Sequence, residues 1–306
     1  MGKFVKQFLS IFGVLFVSIF LITLGAIISK VEPQMTVPIK KDSILVMELE
    51  GVILDTKDFL EDLTKYARKK QIKGVLVRID SPGGAVGPSQ EIYSELKRIR
   101  EELQKPVVAS VMTMAASGGY YAAVAADQII TNPGSLMGSI GVIMQFANLK
   151  DLYKWAKVDR YVIKTGDYKD SGADYRDMRP DERELFSEML DEVHTQFKTA
   201  VMNGRKLAKD IVEKYADGRV FSGETAVKLG FADQLGTYED ALRILGELSG
   251  LGNEPEVFKP PKHRPDILEV LAESKTNNYI ENAITKILKL RLTGQPMYIL
   301  PGAMGM

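Results

Sequence analysis

Cysteine is absent from the chain, histidine occurs twice and tryptophan once among 306 residues. Without cysteine there is no disulfide, no thiol nucleophile and no thiolate zinc site. The two histidines, His194 and His263, lie in a polar helical stretch and in a proline-rich segment. That placement argues against a metal site and against a Ser-His-Asp triad. Net charge is missing too: 40 basic residues balance 40 acidic ones. No overall field then draws the chain to nucleic acid or to an anionic surface, and any membrane attachment must come from a discrete segment.

That segment is Phe8 to Ile28, a run of 21 residues without a charge. At about 1.5 Å per residue it matches a hydrocarbon core of about 30 Å, which predicts one membrane span. Lys3 and Lys6 precede it and place the N-terminus in the cytoplasm, with residues after the span outside; Lys30 weakens the asymmetry slightly. The expected location is therefore the cytoplasmic (inner) membrane, single-pass, with an extracytoplasmic catalytic domain. A cleaved signal peptide is the competing reading, but the apolar run exceeds the usual length and lacks a small-x-small cleavage site.

After a polar linker, residues 29–42, apolar strand-like runs alternate with helical periods, which predicts an α/β domain over 43–249. Strands are expected at Ser43–Leu49, Gly74–Ile79, Pro106–Met112, Gln128–Thr131, Gly138–Met144 and Tyr161–Lys164. Helices are expected at Lys57–Lys70, Ser89–Leu103, Ser117–Ala126, Leu149–Ala156 and Pro180–Leu207, the last with Asp181 and Glu182 where the helix dipole favours acidic groups. Residues 250–306 read as a proline-rich linker, one or two amphipathic helices over Asp266–Leu292, and an apolar tail at Met297–Pro301.

The chemistry gathers at two glycine turns. Gly83-Gly84 follows a strand, and Gly118 follows Ser117 at the start of a helix. Backbone N–H groups at such places stabilise a developing oxyanion without a side chain. Each turn alone is equally well read as packing. Placed in consecutive βα units, they would bring two donors and one hydroxyl to the same sheet edge. A serine needs a base, and with histidine so scarce lysine is the candidate. Lys169 lies in a polar stretch after a strand. An exposed lysine titrates near ~10.4 and is a poor base at neutral pH, so catalysis requires burial. The residues alone also allow a solvated loop lysine, paired with Asp167 or Asp170.

Four stretches, Arg78–Gly84, Met114–Tyr121, Gly166–Asp170 and Asp217–Gly223 running into Leu229–Gly236, resemble in order and spacing the membrane-anchored signal peptide peptidase A family. The resemblance covers roughly residues 43 to 246, in the short, single-repeat form. It implies a crotonase/Clp-protease-like fold of repeated ββα units and a serine-lysine dyad. Ser117 would be the nucleophile and Lys169 the base and later acid, with an oxyanion hole from Gly83, Gly84 and Gly118. It further implies no metal or cofactor, apolar signal-peptide remnants as substrates, and a homo-oligomeric ring whose site is completed between subunits. Ala115-Ala116 and Tyr120-Tyr121 are candidate walls of an apolar pocket or plain packing residues. Tyr298–Met306 is either a self-directed ligand of the active site or unstructured.

Other readings remain beside this one. They are a membrane-bound quality-control protease with other substrates, a crotonase-like acyl-CoA enzyme, and a catalytically silent peptide-binding scaffold.

Overall fold

The computed structural model describes residues 41–261 and 296–299, together with residues 2, 13, 16–20, 22, 38 and 39. The chain falls into two units, Met1–Pro38 and Ile39–Met306. In the first, the described residues 2, 13, 16–20 and 22 are helical. Most of the expected span lies outside the described residues. Among those described, no helix is long and apolar enough to cross a membrane. The segment 266–292 also lies outside them.

The second unit is built on a sheet of eight strands. Its centre is formed by β1 (Ser43–Glu50), β2 (Ile72–Ser81) and β4 (Val107–Ala116), all parallel. Their apolar runs are continuous because both faces are covered. Leu45, Met47, Val75, Val77, Val107 and Ala109 face one core. Ile44, Val46, Leu76 and Val108 face the other, with Ala241 and Leu245 of a covering helix. Helix α1 (Lys57–Ala67) follows β1, and its Leu63, Tyr66 and Ala67 are buried.

Short strand β3 (Gly83–Ala85) leaves β2 and leads directly into α2 (Val86–Glu101), the expected ββα unit. β4 passes through Ser117 into α3 (Gly118–Ala123). β5 (Gln128–Thr131) and β6 (Leu136–Gly138) both pair with β4. Helix α4 (Lys150–Trp155) precedes the Lys169 loop, and α5 (Pro180–Arg205) follows it. Beyond come α6 (Lys209–Tyr215), β7 (Val220–Ser222), α7 (Gly223–Leu229), β8 (Gln234–Leu235), α8 (Tyr238–Leu248) and β9 (Val257–Phe258). Strand β10 (Met297–Ile299) pairs antiparallel with β3.

The register between β2 and β4 is uneven where it matters. Ile79 faces Val111, but Ser81 faces Ala115. Asp80 fills the irregularity, one carboxylate oxygen accepting from the Met114 N–H at 3.2 Å and the other from the Thr113 hydroxyl at 3.2 Å. A bulge leaves ladder groups without strand partners, and a short acceptor side chain satisfies them.

Two expected elements differ. Tyr161–Lys164 forms no strand. Ile163 is fully exposed and Tyr161 is 88% exposed, so among the described residues this apolar run has neither a neighbouring strand nor a core to pair with. The expected strand Gly138–Met144 regularises only as far as Gly138; beyond it, Ile143 alone makes a bridge, to Met297.

Candidate active site

Ser117 stands at the sharp turn between β4 and α3 with φ 51° and ψ −116°. This region is costly for a side chain carrying Cβ, and such strain concentrates where function needs a fixed group. The turn is held by the Ser117 N–H donating to the Gly138 carbonyl at 2.7 Å and the Tyr121 N–H donating to the Ser117 carbonyl at 2.8 Å. The serine is 1% exposed. Among the described residues its Oγ has no hydrogen-bond partner, so the hydroxyl is uncommitted.

The Gly83 turn is stapled beside it. Ser81 Oγ donates to the Gly51 carbonyl at 2.7 Å and accepts from the Gly83 N–H at 3.1 Å. Gly83 has φ +98°. A Cβ there would lie 2.6 Å from the Gly118 nitrogen and 3.0 Å from Ser117 Cβ. The Gly84 nitrogen lies 3.1 Å from the point a Gly118 Cβ would occupy. The expected glycines therefore converge on the serine. Because the Gly83 N–H is already bonded to Ser81, the amides left to face a substrate are those of Gly84 and Gly118, and Gly83 contributes room. Helix α3 is a six-residue element, so its dipole adds little beyond its first N–H.

The groove beside the serine is filled by the chain's own tail. Tyr298 faces Gly84 across the β10–β3 ladder. On the other edge, Met297 and Ile143 exchange backbone hydrogen bonds of 2.9 and 3.0 Å. The Tyr298 carbonyl oxygen lies 2.0 Å from the point a Gly83 Cβ would occupy and 3.1 Å from the corresponding point on Gly118. Of the two alternatives for the tail, its described residues 297–299 take docking: an extended segment paired on both edges, with the Tyr298 carbonyl beside the Gly83 and Gly118 turns.

The expected pocket walls divide. Tyr121 stacks on the Tyr298 ring at 5.1 Å and 17°. Tyr120 points into the core instead, its hydroxyl donating to the Phe231 carbonyl at 2.7 Å, and burial raises its phenol above the usual range. Phe197 of α5 closes the pocket at 4.8 Å from the Tyr298 ring. A helix 80 residues along the chain was not recognisable from sequence as a wall.

Lys169 is not joined to Ser117 within the chain. It is exposed, on a turn whose Lys169 N–H donates to the Gly166 carbonyl at 3.3 Å. Among the described residues it forms no ion pair. Asp170, the rival partner, is committed elsewhere: it accepts from Lys164, from Tyr175 at 2.8 Å and from Arg176 at 2.9 and 3.1 Å. Arg176 also grips Glu182 at 2.5 and 2.9 Å, and Glu182 is fully buried in the first turn of α5. The Arg176 bonds hold the Asp170 carboxyl far below its usual range, with Lys164 and Tyr175 adding to them, and hold Glu182 down at about 2. The Lys169 loop is thus clamped to α5 while the lysine itself projects outward. His194 meets the Ile140 carbonyl at 3.2 Å and does not reach the serine hydroxyl.

Residues 99–252 match Peptidase family S49. A putative protease of Synechocystis is 37% identical over 83% of this chain and 94% of its own length. The chain belongs to peptidase family S49. It is thereby a member of a serine-protease family, and Ser117 lies inside the matched region. A putative signal peptide peptidase SppA of Enterococcus faecium is 33% identical over 66% of this chain and 62% of its own. The chloroplastic serine protease SPPA of Arabidopsis thaliana is 30% identical over 83% of this chain and 36% of its own. This S49 chain therefore spans under two thirds of those two relatives. Among solved structures, a ClpP1 mutant from Listeria monocytogenes is similar with a TM-score of 0.42 and 16% identity, over 64% of this chain and 94% of that one.

Proposed function

We propose that this S49 peptidase is a membrane-anchored endopeptidase that cuts apolar peptides, signal peptides left in the membrane foremost, with Ser117 as nucleophile and Lys169 as base. The observation carrying this reading is the seat of β10. An extended apolar segment lies along β3 with the Tyr298 carbonyl oxygen against Gly83 and Gly118, the glycines that flank Ser117. The E. faecium relative's name gives the substrate class.

The lysine is supplied by a neighbouring copy. Ser117 Oγ is uncommitted, Lys169 is exposed, and the segment leading to it exposes Trp155 at 82% and Ile163 completely. Large apolar side chains exposed along one segment are what a surface covered by another chain would carry. The same contact would bury Lys169 and favour the neutral amine that a base requires.

In the reaction, neutral Lys169 Nζ takes the Ser117 hydroxyl proton as Oγ attacks the scissile carbonyl carbon. The oxyanion forms where the Gly84 and Gly118 amides converge. On collapse the C–N bond breaks, the Lys169 ammonium gives its proton to the departing amine, and an acyl-serine remains. Water, losing a proton to the again neutral lysine, attacks the ester, and the ammonium returns that proton to Ser117 Oγ as the acid product leaves.

The test is incubation of residues 29–306 with a synthetic signal peptide, as wild type, Ser117→Ala and Lys169→Ala, with products read by mass spectrometry. Cuts within the apolar core by wild type alone are expected. Equal products from either variant would remove that residue from the mechanism. No product from any protein, with or without lipid vesicles, would leave a peptide-binding scaffold.

A further inference from the structure

Ser81 is the last residue of β2 and is fully buried. Its Oγ makes two bonds, donating to the Gly51 carbonyl and accepting from the Gly83 N–H. A single side-chain oxygen thus ties together two backbone segments, the exit of β1 at Gly51 and the turn at Gly83. Those segments meet again at once. The Ile53 N–H donates to the Gly83 carbonyl at 2.9 Å, and the Ala85 N–H donates to the Ile53 carbonyl at 2.8 Å.

The bond from Ile53 decides where the Gly84 N–H points. In a planar trans peptide the carbonyl and the following N–H project in opposite directions. With the Gly83 carbonyl drawn toward Ile53, the Gly84 N–H is aimed at the other edge of β3, where Tyr298 of β10 stands. A peptide between two glycines has little stiffness of its own against a flip, and a flip would present a carbonyl to the developing oxyanion in place of a donor. Side chains cannot supply the stiffness, because a Cβ on Gly84 would lie 2.0 Å from the Ile53 carbonyl oxygen. It has to come from outside the turn. Ser81 is placed to give it, and also abuts the helix that carries the other donor: its carbonyl oxygen lies 2.9 Å, and its Cβ 3.2 Å, from the point a Gly119 Cβ would occupy.

We infer that Ser81 is a positioning residue for the oxyanion site: through Gly51 and Gly83 it holds the backing segment that keeps the Gly84 N–H turned toward the bond Ser117 attacks. The inference rests on the endopeptidase reading and adds to it the residue that aims one of the two donors. Without the hydroxyl the glycine turn samples both orientations of its peptide. That corresponds to a fall in kcat of roughly 10- to 100-fold, short of the loss of a donor outright.

The experiment uses the full chain. Cleavage of a synthetic signal peptide is compared between wild type and Ser81→Ala, together with inhibition by a peptide aldehyde of the sequence of residues 294–298, whose oxygen takes the oxyanion position once Ser117 Oγ adds to the aldehyde carbon. Binding of a fluorescein-labelled peptide of residues 294–301 is measured in Ser117→Ala with and without Ser81→Ala. A fall in kcat with a matching loss of aldehyde affinity is expected, while the Kd of the uncut peptide stays the same. Ser81→Cys keeps the shape of the side chain with only a weak donor and acceptor, so it should show the same split even if the alanine variant does not fold. A kcat equal to wild type in either folded variant, or a loss that the Kd shares in full, overturns the role. A wild type that neither cuts the peptide nor is inhibited by the aldehyde fails the endopeptidase reading instead, and the inference falls with it.

Discussion

The carbonyl oxygen of Tyr298 lies 2.0 Å from the point that a Cβ on Gly83 would occupy. On the proposed reading the tail sits where a peptide substrate would sit, and the two would compete. Removing residues 297–306 should lower KM for an added apolar peptide and leave kcat near its full-length value. A KM unchanged by the truncation would mean that the tail does not occupy the groove in solution.

At Gly83 itself, alanine would meet that oxygen and the Gly118 nitrogen, and would hold φ +98° with a side chain present. Gly83→Ala should lose about 1–3 kcal/mol of stability by denaturant titration and at least a hundredfold in kcat/KM. Gly87, where a Cβ meets nothing within 4 Å, is the control: Gly87→Ala should keep full activity.

Ser117 holds a backbone shape that glycine adopts without strain. Ser117→Gly and Ser117→Ala should both be inactive, yet the glycine variant should be more stable than the alanine variant by about 1 kcal/mol. Thermal unfolding of the pair decides it, and an alanine variant as stable as the glycine one would show the turn to be relaxed.

If lysine and serine come from different copies, two dead proteins can make a live one. Ser117→Ala mixed with Lys169→Ala under subunit exchange should regain part of the wild-type activity, while neither does so alone. The restored activity should rise toward alkaline pH, because only the neutral amine accepts a proton, and a rate flat from about pH 6 to about pH 10 would count against a lysine base.

The clamp on the Lys169 loop has an acid limit. Asp170 and Glu182 both titrate below their unfolded values. Their contribution is therefore complete above the unfolded carboxylate range and is lost as pH falls toward the folded values, down to about 2 for Glu182. Amide protection factors across residues 164–182, corrected for the intrinsic rate, should hold at pH 5 and fall below about pH 4. In Arg176→Met protection should be low already at neutral pH, with activity lost alongside.

The central strands and the nucleophile turn were legible in the sequence for one reason. Runs such as Gly74–Ile79 and Pro106–Met112 are apolar except for Arg78 and Ser110, a pattern that suits a strand covered on both faces, and a serine among glycines at the end of one marks a sharp exit. The run Tyr161–Lys164 has the same local look but finds no partner among the described residues. Local pattern reports that a face will be covered, not by what. Tyr120 and Tyr121 show the same limit. They are adjacent and alike, and only the placement of α5 and β10 sends one into the core and the other to the groove. The tail's apolar character could be read, whereas its register against Gly83–Ala85 depends on a groove assembled from distant segments.

The uneven pairing of β2 with β4 acts as a ruler. Between two shared positions β4 advances from Val111 to Ala115 while β2 advances only from Ile79 to Ser81. Each strand residue adds about 3.3 Å, so the spare length, braced by Asp80, sets how far the hydroxyl of Ser117 stands above the Gly83 turn. A chain one residue shorter in that stretch would keep its sheet, its core and every side chain of the site, and would still present the serine at the wrong height to the bond it is meant to cut.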